Sequence, residues 1–312
     1  MIATRHIGVV ARSLLAATLV ACALVAAGAV AGCSGGGDQT SGASFTPATS
    51  ISESSFDEGS ATGSNGVLVD TSHSSDGYVG ISATAESRLK VQVMSGDGTT
   101  NYDLSQDGTA IICPLTSGSG PYTVRVMQNT SGNNYVELYS TTFDASIEPE
   151  TAPYLHPNVA CNFSESSACV AKARELVASA TNQGEAVQAI CTWVVDNISY
   201  DSAKASQLQD ATGYMPDPDS TLASGSGVCF DYASLGAAML RSQGIATQIV
   251  TGYVSPDDIY HAWIMVYIDG TWISGQFSVN SDTWSRVDLT FAASGGGSNV
   301  GDGKSYTDRF VY

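Results

Sequence analysis

The hydrophobic pattern changes period along the chain. Between residues 63 and 148 apolar residues come in short runs at 66–69, 78–81, 89–93, 110–113, 122–126 and 135–139. Turn residues at 96–98, 107–108 and 118–121 separate them. Short strands at this spacing predict an all-β sandwich. The stretch 147–153, with Pro149 and Pro153, marks a boundary, and beyond it the period becomes helical. Residues 168–180 and 185–197 predict amphipathic helices, the second burying Ala186, Ile190, Trp193 and Val194. A further helix over 233–242 is closed by Gly244. Strands are then predicted at 247–254 and 260–268, with Asp269-Gly270 as a hairpin turn into 271–273, and another strand at 287–290. The fold expectation is two domains: an N-terminal all-β sandwich at 63–148, then an α+β domain at 149–312.

The N-terminus has a different pattern. Arg5 and Arg12 precede an apolar run at 14–31, which ends in Val30-Ala31-Gly32-Cys33 before Ser34-Gly35-Gly36-Gly37. Small residues before the cysteine suit a signal peptidase. This resembles the lipobox of bacterial lipoproteins, which implies a signal peptide at 1–32 and lipidation of Cys33. A plain transmembrane anchor, or a secretory signal cut nearby, is the alternative. Residues 33–62, rich in Gly, Ser, Thr and Ala, predict a flexible tether. The expected location is the outer surface of a bacterial cell, with the membrane touched only through the lipid.

The net charge of −18 deepens to −20 when the two leader arginines are removed. Such a surface repels nucleic acid, and no basic stripe offsets it. No phosphate-binding loop, dinucleotide fingerprint or CxxC pair is present, so no cofactor or metal is expected. Asp217 and Asp219 could suggest calcium, but the EF-hand spacing is absent and a solvated turn is favoured.

Five cysteines remain after Cys22 and Cys33. Cys161 and Cys169 flank a short polar loop and are candidates for a disulfide. Cys113 and Cys191 sit in apolar surroundings. Cys229 follows Gly225-Ser226-Gly227-Val228 at the start of a helix, where the dipole and orphan N–H groups favour a thiolate and suit an oxyanion. His261 starts a strand in the same domain, in the position of a general base. Asp288 in Val287-Asp288-Leu289-Thr290 is the preferred orienting acid, with Asp282 and Gln276 as fallbacks. The N–H of Cys229 is one expected oxyanion donor, with Tyr214 and Trp263 as weaker candidates.

Cys229 in GVCFDYA, His261 in HAW before an apolar strand and Asp-Gly, and the later Asp-x-Thr together resemble the transglutaminase-like superfamily. The resemblance covers about 150–312, including Asn-Ile-Ser-Tyr-Asp at 197–201. It implies a papain-like α+β core in which Cys229 is nucleophile, His261 base and Asp288 acid. It departs where many relatives carry the acid directly after the first hairpin. Here Trp272 is followed by Ile273-Ser274-Gly275-Gln276, and 276–284 reads as an inserted hairpin. The implied function is acyl transfer on glutaminyl or peptide amides of proteins through a cysteine thioester. Hydrolysis by a cysteine peptidase or amidase, and a surface scaffold with a vestigial triad, are the alternatives. The sandwich is expected to serve as a spacer, with carbohydrate or surface binding as the other role.

Overall fold

The computed structural model describes residues 38–209, 211–255, 258–274, 276–295 and 306–312. The expected leader and Cys33 fall on residues 1–37 and lie outside the described residues. The chain opens with β1 (Gln39–Gly42). Then come β2 (Val67–Asp70), β3 (Tyr78–Ala83), β4 (Leu89–Ser95), β5 (Gly98–Leu104), β6 (Ile111–Pro114), β7 (Gly120–Ser131) and β8 (Asn134–Ala145). They make two antiparallel sheets, in the orders β2-β3-β6 and β5-β4-β7-β8. On β4, Leu89, Val91 and Val93 are buried while Lys90 and Gln92 are half-buried, the alternation of a sheet with one covered face. Strand β5 was not expected, because only Tyr102 and Leu104 are large and apolar in it; both are buried, and it pairs along its length with β4.

The second half runs α1 (Ala168–Leu176), α2 (Gln183–Asn197), β9 (Ser199–Tyr200), α3 (Ser202–Leu208), α4 (Pro218–Ser224) and β10 (Ser226–Gly227). It continues with α5 (Cys229–Arg241), β11 (Ala246–Val254), β12 (Ile259–Tyr267), β13 (Gly270–Ile273) and β14 (Ser278–Val279). Last come β15 (Ser285–Val287), α6 (Leu289–Ala293) and β16 (Tyr306–Val311). An antiparallel sheet in the order β15-β12-β11-β16 carries α5, which is buried from Asp231 to Arg241. The cap residues explain the helix ends. Asn182 accepts the Glu185 N–H at 3.0 Å, and Asp217 accepts the Ser220 N–H at 2.8 Å. Asp219 takes the N–H groups of Ala168 and Cys169 at 3.0 and 2.8 Å, so both aspartates of that loop act as helix caps.

Several expectations need correction. Part of the expected tether is a strand: β1 pairs with β13, because β13 does not fold back on β12 after Asp269-Gly270. Strand β13 lies between β1 and β14, with Trp272 buried under it, and the chain returns to β12 only at β15. The strand expected at 287–290 ends at Val287, since Asp288 accepts the Phe291 N–H at 3.0 Å and starts α6. Cys161 and Cys169 are free thiols. The Cys161 thiol is turned onto the Ser234 carbonyl at 3.6 Å, and Asp219 bonds beside Cys169.

One buried cluster runs from Val67, Leu89 and Val126 through Ala186 and Leu235 to Ile264 and Val287, so the sheets before residue 146 share a core with the helices after it. Arg241 is a polar bolt in this core. It is 1% exposed, and its guanidinium donates to the carbonyls of Thr247, His156 and Tyr312, each at 2.8 Å. Replacing it with leucine leaves these buried carbonyls without their donor. Arg241→Leu is expected to cost about 2–4 kcal/mol, read as a lowered midpoint in urea unfolding. An unchanged midpoint would contradict this role.

Candidate active site

Three elements converge on one cleft. The parallel pairing of β9 with β10 brings the Ser199-Tyr200 segment beside Ser226-Gly227 and aims the chain into α5. Gly227 is required there: a Cβ would lie 2.5 Å from the Asp231 Cβ. Asp231, fully buried, accepts the Val228 N–H at 2.8 Å, the return half of a capping box. It also receives Lys204 Nζ at 2.7 Å and the Tyr214 hydroxyl. Burial and this carboxylate push the Tyr214 hydroxyl up to about 12, which keeps it a donor. With the Val228 N–H committed to Asp231, the next N–H at the helix start belongs to Cys229, which lines the cleft. Sequence reasoning missed Lys204 and the role of Asp231. The signal was an aspartate at the third helical position, where a cap partner belongs.

His261 projects from β12, paired with Gly252 of the neighbouring β11, and is 4% exposed. Its Nε2 lies 2.8 Å from Asp288 Oδ2, and its ring stacks on Phe291 at 4.4 Å between centroids. The imidazole also interacts with the Cys229 side chain. With Nε2 on the carboxylate, Nδ1 is the nitrogen left for sulfur. Asp288, fully buried, has two further donors: the Phe291 N–H at 3.0 Å and the Tyr306 hydroxyl at 2.9 Å. The structure therefore brings Cys229, His261 and Asp288 together. It does not bring the fallbacks in: Asp282 sits in an exposed turn at φ 53°, its carboxylate held by Ser281, and Gln276 is exposed. Trp263 is buried against Tyr306, and Tyr214 is committed to Asp231.

Burial by itself lowers the His261 pKa, but hydrogen bonds and charge from Asp288 and Cys229 override it and hold it at about 10. A raised folded-state value gives a stability contribution complete below the ordinary 6.5 and lost as pH rises through about 10. The other cysteines differ from Cys229 in being fully buried; burial pushes the Cys161 thiol up to about 11 and those of Cys113, Cys169 and Cys191 higher still. Cys229 alone among them is partly exposed, on a cleft of about 870 Å³ that His261 also lines.

Residues 170–277 match the model of the transglutaminase-like superfamily. This region is a transglutaminase-like domain. The match takes in Cys229 and His261 and stops before Asp288. A curated, uncharacterized protein of Mycobacterium leprae (strain TN) is 26% identical over 227 residues, covering 68% of this chain and 70% of that one. Among solved structures, a proposed cysteine protease from Cytophaga hutchinsonii aligns at 17% identity and TM-score 0.35, over 74% of this chain and 80% of its own. The red sea bream transglutaminase aligns at 11% identity and TM-score 0.29, over 68% of this chain, which spans 48% of that one. The transglutaminase-like core is therefore set in an otherwise mixed α/β chain with many antiparallel strands.

Asp288→Asn removes the charge that keeps His261 protonated while preserving the shape of the side chain. The His261 titration midpoint, followed by NMR of its ring protons, is expected to fall by about 1–3 pH units. A midpoint that stays put would mean that Asp288 does not control the imidazole.

Proposed function

We propose that this chain is an exported transglutaminase-like thiol enzyme that transfers acyl groups from protein or peptide amides. The observation that carries the reading is His261, held 2.8 Å from a buried carboxylate, lining the same cleft as the partly exposed Cys229 thiol. His261 already holds the proton that Cys229 gives up, and the sulfur attacks the amide carbonyl carbon. The Cys229 N–H stabilises the oxyanion. As the C–N bond breaks, His261 returns the proton to the departing amine or ammonia, leaving a thioester. A second amine, or water, then attacks that thioester with His261 again as base. Asp288 holds the ring in register and supports its charged form.

The leader pattern and Cys33 support a lipid-anchored protein outside the cell, and the acidity of the chain suits that setting. The N-terminal sheets are then a sandwich unit held to the catalytic part by their shared core. No metal or cofactor enters this scheme.

The test incubates the purified chain with bacterial surface proteins and a labelled primary amine, followed by mass spectrometry. Amine-tagged glutamines, lost in Cys229→Ala and His261→Ala, are the expected result. Cleaved or deamidated products without tag would make the chain a hydrolase. No Cys229-dependent product of any kind would favour the scaffold.

A further inference from the structure

The cleft carries a charge opposite to that of the chain. On its far wall Lys90 of β4 and Asp103 of β5 neutralise each other at 2.5 Å. Arg309 of β16 lines the same cleft, and among the described residues no carboxylate is paired with it. A net positive wall in a chain of net charge −18 calls for a cause.

The backbone supplies one. Along the pairing of β11 with β16, Thr251 faces Phe310 and Gly252 faces Asp308, so Arg309 is the extra residue of a β-bulge. In a regular strand Arg309 and Phe310 would point to opposite faces. Here both line the cleft. The guanidinium, so redirected, rests on an aromatic platform: its Cζ lies 5.9, 6.0 and 5.1 Å from the ring centres of Tyr253, Tyr260 and Phe310. One of its terminal nitrogens donates to the Tyr253 hydroxyl at 2.9 Å. A planar guanidinium held this way keeps an edge free for a carboxylate. Ile259, Tyr260 and Tyr200 line the same cleft and are 53%, 51% and 50% exposed. These are three of the five large apolar side chains exposed on the described surface.

From this geometry we propose that Arg309 is a specificity residue of the cleft, receiving a carboxylate of the acyl donor while Ile259, Tyr260 and Tyr200 hold the apolar part of the same peptide. The proposal rests on the reading of Cys229 as nucleophile. It also gives the N-terminal sheets a share in substrate binding, because Lys90 of β4 and Asn101 and Asp103 of β5 line the same cleft as Arg309. The loop joining α3 to α4 is fitted tightly to that wall: Gly213, at φ 77°, has no room for a Cβ against the Asp103 carboxylate. On its other side the neighbouring Tyr214 holds Asp231.

The test compares alkylation of Cys229 by iodoacetate and by iodoacetamide, resolved by mass spectrometry of the Cys229 peptide. Loss of one nearby positive charge is expected to lower the iodoacetate-to-iodoacetamide rate ratio about threefold to fivefold in Arg309→Met, and further in Arg309→Glu. The iodoacetamide rate should hold steady, which also reports an intact fold. High salt should shrink the difference. A second arm uses glutaminyl peptides with a free C-terminal carboxylate, with a neighbouring glutamate and amidated terminus, or with neither. One or both carboxylate-bearing peptides should be preferred by the wild type and lose that preference in Arg309→Met, which tells a terminal from a side-chain carboxylate. Unchanged reagent ratios and peptide preferences, with Cys229 still alkylated faster than a free thiol peptide, would overturn the role of Arg309 alone. Slow labelling of Cys229 in every form would overturn the nucleophile reading and this proposal with it.

Discussion

The buried contact between Asp288 and His261 is the constraint on which the site depends. A carboxylate removed from water needs donors on every side. Asp288 has the imidazole, the Tyr306 hydroxyl and the Phe291 N–H in the first turn of α6. Each donor comes from a different element, so the pair forms only when β12, α6 and β16 are all in place. The carboxylate acts as both helix cap and imidazole anchor. That double use explains why the strand beside β12 stops one residue short of it.

The same economy recurs at the other side of the cleft. Asp231 caps α5 through the Val228 N–H while collecting Lys204 and Tyr214 from the segments before it. Cys229 thus depends on two buried aspartates, Asp231 capping its helix and Asp288 holding His261. Arg241 at the far end of α5 ties that helix to the final residue of the chain through the Tyr312 carbonyl. Since Phe310 and Tyr312 line the cleft, the segment from β16 onward belongs to the cleft wall. The shared core makes the N-terminal sheets part of that wall as well, through Lys90, Asn101 and Asp103.

Much of this was legible in the sequence, for physical reasons. Cys229 was marked by a small-residue approach and a following helix closed by Gly244. His261 was marked as the histidine that starts an apolar strand in the same domain as Cys229. The helix over 185–197 was legible, although it starts two residues earlier at Gln183, and α4 was read as a loop because Pro218 and its aspartates carry turn signals. What escaped depended on long-range pairing. Strand β5 has a polar sequence and exists because β4 offers it an edge. The Ser- and Gly-rich residues of β1 carry no strand signal at all and are ordered by β13, more than 200 positions away. The bulge at Arg309 is a matter of register between distant strands, which residue types do not encode locally.

The most direct measurement is the intact mass of the chain after rapid acid quenching of a reaction with a glutaminyl peptide. The account predicts a peptide adduct, short by one ammonia, mapped to Cys229, cleaved by hydroxylamine and missing from Cys229→Ser. An adduct on another cysteine, or a peptide converted to product with none formed at Cys229 under conditions that trap thioesters, would contradict it.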